Sequence, residues 1–385
     1  MEITDTARPF DGANVSAFLR SLPAEPLLLG LGEPRHFVGE LGALRNELFR
    51  HLVEHEGYRA FAIESDCLAA LLVDDHVTTG AGALDDVMAR GFSHGFGASP
   101  ANRELVHWMR AYNQTHDDKL RFFGFDGPLE YWADSPRQAL TALYDLLDGP
   151  HPCTRETLDA LLGPDDRWAN QAAATDPAQS IGQTPDARRL RVIADDLAAL
   201  LETQAPGLAP HDRERAELYA RTAVGLLRYH HWMADDSPGR WSRLSALRDA
   251  MMAANLRAIA DHGPALVFGH NVHLQRDRSL MSFGDRTIEW WGAGAITATR
   301  LRDRYAVLAT ALGTVGDDTP PPDTLEGILA TLPWDPSLAD ARRLAAAVAK
   351  PTPRTAADFR YIPFDPERLG GVDGIVFLGR VHDLG

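Results

Sequence analysis

Short uninterrupted apolar runs alternate along the chain with longer stretches in which apolar residues recur every third or fourth position. The first pattern is that of a strand covered on both faces, the second that of a helix with one buried face. Four runs end at a polar residue able to do chemistry. Pro26-Leu27-Leu28-Leu29-Gly30-Leu31-Gly32 leads into Glu33 and then His36, and Tyr58-Arg59-Ala60-Phe61-Ala62-Ile63 ends at Glu64. Leu120-Arg121-Phe122-Phe123-Gly124-Phe125 ends at Asp126, and Ala265-Leu266-Val267-Phe268-Gly269 ends at His270. Between the first two runs, Leu41, Leu44, Leu48 and Leu52 fall at helical spacing, closed by Gly57. Strand, helix, strand predicts a βαβ unit, and with it a parallel pair with helices on its faces.

The expected fold class is α/β, with a central, mostly parallel sheet, flanking helices and a helical insertion or cap. Residues 1–150 are expected to form the N-terminal half of the α/β core, including the loop that carries His36. Residues 151–262 differ: they are rich in Ala, Leu, Arg and Asp, and Asp186–Glu202 and Asp212–Met233 have helical periodicity. Gly163-Pro164 and Ala205-Pro206-Gly207 punctuate this expected insertion. Residues 263–385 return to a mixed pattern and complete the core, with Tyr305–Leu312 and Gly374–Leu378 as further strand candidates. In open α/β sheets ligands bind outside the carboxyl ends of the strands, which is where the four polar residues fall.

Composition narrows the function. A chain of 385 residues, 45% hydrophobic and 24% charged, suits one large domain with an insertion, or two domains. A formal net charge of -16 argues against a nucleic-acid partner, which needs a concentrated cationic surface. Cys67 and Cys153 cannot build a disulfide framework or a CxxC metal pair. The N-terminus carries acids without an apolar core, and no apolar run nears the ~20 residues that span a bilayer. The expectation is a cytoplasmic protein acting on a small molecule, with no membrane or nucleic-acid partner; oligomeric state stays open.

The chemistry centres on Gly30-Leu31-Gly32-Glu33-Pro34-Arg35-His36. Glycines at a strand end are expected to let the backbone turn sharply and expose the next side chains. Glu33 and His36 are three apart, and a carboxylate beside an imidazole raises its basicity and fixes its tautomer. Arg45 shares the buried face of the following helix, where a guanidinium calls for a carboxylate partner such as Glu33 or Glu64. His270 and His273, at i and i+3, suit a shared substrate oxygen or a metal with Glu33 or Glu64 as third ligand. No HExxH pattern accompanies them, so the expected site is metal-free and without cofactor. A serine nucleophile elbow is absent; Gly91-Phe92-Ser93-His94-Gly95 comes nearest, in a glycine-rich loop that reads as an ordinary loop or an active-site lid. Neither GxGxxG nor a P-loop follows the first run.

In order along the chain, Gly32-Glu33-x-x-His36, Arg45, Gly57-Tyr58 and Ile63-Glu64 resemble the opening block of the erythromycin esterase family. Gly124-Phe125-Asp126, Arg248-Asp249-x-x-Met252-x-x-Asn255 and Gly269-His270-Asn271-x-His273 resemble its later motifs. The resemblance implies hydrolysis of an ester or lactone of a secondary metabolite, with His36 as the general base that activates water. It further implies that Glu33, Glu64 and Arg45 orient and tune His36, while His270 and His273 line the opposite wall. One of those two would stabilise the oxyanion or protonate the leaving alkoxide. Arg35, Asp126, Arg248 and Asn271 are the expected substrate-binding or orienting residues. Pro34, Arg35 and Phe37 depart from the small and glycine residues that usually surround the family's histidine, which points away from macrolides and towards an anionic or differently shaped substrate. Two other readings stand beside hydrolysis: elimination, cyclisation or acyl transfer with the same base, and a metabolite-binding resistance protein.

Overall fold

All six apolar runs are strands in the computed structural model of the chain, which describes residues 2–129, 133–283, 286–355 and 360–382. In chain order the strands are β1 (Ala7–Pro9), β2 (Leu28–Glu33), β3 (Ala60–Asp66), β4 (Arg121–Asp126) and β5 (Ala265–His270). They continue as β6 (Arg278–Phe283), β7 (Arg286–Trp291), β8 (Tyr305–Val315), β9 (Ser337–Asp340) and β10 (Gly374–Val381). Eight form one sheet in the order β1-β9-β10-β8-β2-β5-β3-β4, while β6 and β7 pair separately. From β10 to β4 every neighbour is parallel; β9 runs antiparallel to both β10 and β1.

The predicted strand-helix-strand unit is present, but its strands are not neighbours. β5 lies between β2 and β3 and pairs in parallel with both. Every residue of β5 is buried, so its place is the middle of the sheet, where helices cover both faces. On one face Leu29, Leu31, Phe61, Ile63, Leu266 and Phe268 pack with the helices Gly12–Ser21, Gly39–His55, Ala70–Thr79 and Pro100–Thr115. On the other, Leu28, Ala60, Ala62 and Val267 pack with the helices Arg240–Ala260 and Ala293–Leu301. Side chains alternate along a strand. Glu33 and His270 therefore continue the rows of the first face, and Glu64 that of the second.

Between β4 and β5 the described residues contain helices and no strand. Helices Arg137–Leu146, Arg155–Leu162, Pro185–Gln204 and Pro210–Met233 bury Leu140, Leu158, Leu190, Leu197 and Leu227 in a core of their own. Each buried leucine contributes about 1.5–3 kcal/mol, before the cost of ordering it. Thr184 caps the helix Pro185–Gln204 by accepting from the Ala187 amide, with proline at the first position. The next helix, Arg240–Ala260, belongs to the sheet instead: Met252, Leu256 and Ile259 pack on its second face. Among the described residues no helix is long and apolar enough to cross a membrane.

Candidate functional site

Two glycines let the strand ends crowd together. At Gly32 a Cβ would lie 2.2 Å from Asn271 Oδ1, and at Gly269 one would lie 2.8 Å from the Phe125 ring and 3.0 Å from Glu64 Oε2. The expected sharp turn at the glycines is not made there; they serve close approach inside the strands, and the left-handed backbone comes at Phe37 (φ 65°). Asn271 occupies the room at Gly32. It donates to the Thr310 carbonyl at 2.9 Å and accepts from the Thr310 amide at 3.2 Å. Those contacts replace a ladder where the pairing of β2 with β8 has ended.

Glu33 and His270 stand opposite each other in register. His36 folds back so that Nδ1 lies 2.7 Å from Glu33 Oε1; Glu33 is buried, while the His36 side chain is 29% exposed. With Nδ1–H donated to Glu33, Nε2 is the nitrogen left for chemistry. Burial alone would lower the His36 pKa, but the Glu33 charge, its hydrogen bond and the Glu64 charge outweigh it and raise the value to about 9. Burial likewise holds the Glu33 carboxyl above its ordinary range, against the pull of His36. With a pKa of about 9, the His36 ring is an imidazolium at neutral pH.

His270 is the opposite case. Its Nε2 donates to the Pro34 carbonyl at 3.0 Å and its Nδ1 accepts from the Val272 amide at 3.3 Å. Burial, then the His36 charge, push its pKa down to about 3. It is a neutral strut under the His36 loop, with ring centroids 5.6 Å apart. Its partner at i+3 points elsewhere. His273 Nδ1 donates to Asp249 at 2.9 and 3.0 Å, and Nε2 lies 3.4 Å from Glu64 Oε1. Burial opposes a charge on His273, yet Asp249 and Glu64 raise its pKa. Asp249 also accepts from Trp290 Nε1 at 2.9 Å and the Ala293 amide at 2.6 Å, so its oxygens are satisfied inside the protein.

Glu64, Asp126 and Arg248 form the floor. Arg248 Nη2 lies 2.6 Å from Asp126 Oδ2, 3.2 Å from Glu64 Oε1 and 3.2 Å from His94 Nε2. Glu64 Oε2 accepts from the His270 amide at 2.7 Å. Burial would raise the Glu64 pKa, but His273, His36 and Arg248 hold the carboxyl well below the usual range. Burial and Arg248 lower that of His94 against the pull of Asp126, which leaves its Nε2 free to accept from the guanidinium. Glu64, His94 and Asp126 each offer a ligand atom within 4.8 Å of the others, a donor set of metal type. Arg248 touches all three, so the charge such a set calls for is already supplied by the chain. His270 and His273, whose spacing would suit a metal or a shared substrate oxygen, do not converge: one turns to the Pro34 carbonyl and the other to Asp249 and Glu64.

Arg45 is buried as the helix pattern predicts, but no carboxylate touches it among the described residues. It donates to Asn46 Oδ1 (2.7 Å) and Asn102 Oδ1 (2.8 Å), between the rings of Phe61 and Phe268 at 5.3 and 4.8 Å. Glu33 reaches it only through space, and burial lowers its pKa to about 10. Asn102 in turn donates to the Phe96 carbonyl at 2.9 Å, so Arg45 anchors the loop that carries His94 and Phe96. Arg35 is buried, with 6% of its surface exposed.

Three participants received no site role from the sequence: His94 and Phe96, read as part of an ordinary loop or an active-site lid, and Asp249, read only within a resembling motif. Asp249 had a signal, since it stands next to Arg248 in a helix whose apolar residues bury that side. For His94 the glycine-rich loop was the only signal, because its contact with Arg248 depends on its own left-handed backbone (φ 56°) and that of Gly95 (φ 75°).

A family model described as erythromycin esterase matches residues 53–379, beginning after His36 and covering the other strand ends. Erythromycin esterase type I of Escherichia coli is 24% identical over 271 residues, 65% of this chain and 62% of that protein. Erythromycin esterase type II of the same organism is 29% identical over 110 residues, 29% of this chain and 26% of that protein. The chain thus matches less than two thirds of the length of either. Among solved structures, a mutant of the erythromycin esterase EreC in its open conformation aligns with a TM-score of 0.71 at 18% identity, covering 97% of this chain and 96% of that one. A Bacillus cereus protein aligns at 0.69 and 16% identity, over 97% and 98%. A succinoglycan biosynthesis protein aligns at 0.64 and 15%, over 99% and 96%. At these identities the structures share the fold.

Proposed function

The chain belongs to the erythromycin esterase family, and from that premise we propose that it hydrolyses an ester or lactone of a secondary metabolite, with His36 as general base. The observation that supports this reading best is the Glu33–His36 pair at the head of β2: a part-exposed imidazole held at 2.7 Å by a buried carboxylate. In the neutral ring, Glu33 holds Nδ1–H and directs the Nε2 lone pair outwards. Water gives its proton to Nε2 while its oxygen bonds to the ester carbonyl carbon, and the carbonyl π electrons move onto oxygen. Glu33 stabilises the imidazolium that forms. The same imidazolium returns the proton to the leaving alkoxide as the tetrahedral intermediate collapses.

Arg248 would stabilise developing negative charge, together with His273, whose charged form Asp249 and Glu64 favour; both are tied to Glu64 at the floor. His270 holds the loop of His36, and Asn271 holds the turn behind it. Asp126 fixes Arg248 through contacts of 2.6–3.2 Å. One observation favours a second reading, in which His36 removes a proton from carbon and drives elimination: a pKa of about 9 makes it a stronger base than an ordinary histidine.

A panel of esters, lactones and macrolides, with product masses determined, separates these readings. The expected products together equal the substrate plus one water, and a strong chelator leaves the rate unchanged because Arg248 supplies the charge. Products without added water would point to elimination, and saturable binding without turnover to a metabolite-binding protein. Loss of activity on chelation, restored by metal, would overturn the metal-free scheme.

A further inference from the structure

Four residues other than glycine have a left-handed backbone among those described: Phe37, His94, Arg302 and Lys350. Side-chain-bearing residues rarely hold this conformation, and it persists where surroundings over-determine it, often at functional sites. Two of the four belong to one group of rings. Phe37 lies against Phe96, with centroids 5.4 Å apart and a tilt of 50°, and 6.4 Å from the His36 ring at 77°. Phe96 meets His36 nearly edge-on at 5.2 Å and stacks on His94 at 5.8 Å. Behind Phe37 the backbone of Gly95 is close enough that a Cβ there would lie 3.5 Å from the Phe37 ring. The loop is itself anchored through Asn102 and Arg45.

Phe37 is nevertheless 45% exposed, one residue from His36 at the mouth of the site. Burying this ring is therefore not what the strained backbone achieves. It holds an aromatic surface open beside the nitrogen that does the chemistry. We infer that Phe37 is a specificity-determining residue whose exposed ring, backed by Phe96, receives a flat aromatic portion of the ester. As a statement about specificity this rests on ester hydrolysis at His36; as a statement about binding it does not. The chemistry of the mouth narrows the occupant. Aromatic rings prefer the tilted and edge-to-face arrangements already present here, and gain from them beyond plain burial. A cationic group would meet the His36 imidazolium.

The test uses two esters matched in carbon number and alcohol, one with a phenyl-bearing and one with a linear alkyl acyl chain. Their kcat/KM values are compared in wild type, Phe37→Leu and Phe37→Gly, with melting curves confirming that each variant folds. Leucine keeps apolar bulk and removes the ring. The aryl-to-alkyl ratio should fall between about two-fold and tenfold in Phe37→Leu, carried by KM, as the worth of an aromatic pair implies. Binding of the corresponding aryl and alkyl amides, followed by ligand-observed NMR, reads the same preference without turnover. An amide preference that depends on Phe37 supports the inference even if no ester is cleaved, in which case the proposed hydrolysis alone fails. Ester cleavage with an unchanged aryl-to-alkyl ratio in both variants overturns the inference and leaves the hydrolysis standing.

Discussion

His36 and His270 face each other with ring centroids 5.6 Å apart, yet their surroundings push them to opposite protonation states. His36 has a buried carboxylate on Nδ1 and a pKa near 9; His270 has only backbone partners and a pKa near 3. The base must be neutral, and below its pKa the neutral fraction falls tenfold per unit. The free-enzyme kcat/KM should therefore rise about tenfold per pH unit from 7 and level near 9. Glu33→Gln removes the charge that raises His36, so the limb should move down towards the ordinary histidine value of about 6.5, with a lower plateau because the base is weaker. Profiles of the two proteins with coincident midpoints would contradict the pairing. At this scale much was legible. Glu33, His36, Glu64, Asp126 and His270 each follow an apolar run, and a run buried on both faces can be read without knowing its neighbours. The partner of Arg45 was not legible, because Asn102 and two ring faces come from elements remote in sequence.

Among the elements, the insertion of β5 between β2 and β3 is what assembles the site. It sets His270 opposite Glu33 and delivers the His270 amide to Glu64. Hydrophobic pattern reports that a strand exists but not which strands it pairs with, so this order could not be read from the sequence. The alternation of faces could: odd positions of β2 lead to Glu33 and even positions of β3 to Glu64, on opposite layers. The edge strands β1 and β9 went unread, since a strand of three or four residues leaves little pattern, and so did the six-residue strands of the β6–β7 pair that brings Trp290 to Asp249. Close packing of strand ends makes a sharp prediction. In Gly32→Ala the new methyl must displace Asn271, whose oxygen and Cα would lie 2.2 and 3.1 Å away. Overpacking of this kind costs typically 1–3 kcal/mol. Denaturant unfolding should show that loss together with reduced activity; unchanged stability would mean that Asn271 is free to move.

For the whole molecule, the sheet holds Glu33, Glu64 and Asp126 at the carboxyl ends of its strands, while the helices on its two faces bring the guanidinium groups. Arg45 comes from one layer and Arg248 from the other, and His94, the ring that accepts from Arg248, comes from the loop before the helix Pro100–Thr115. The surface excess of acid, a net charge of -16, leaves this internal pairing untouched. All of these partners converge on the freedom of a single atom, Nε2 of His36, to take a proton. The most direct measurement is the single-turnover rate of His36→Ala on an ester that the wild type cleaves, with the melting temperature confirming the fold. A positioned base contributes about 10²–10⁴, so a loss of that size is predicted. An undiminished rate in folded His36→Ala would contradict the assignment of His36 as the base.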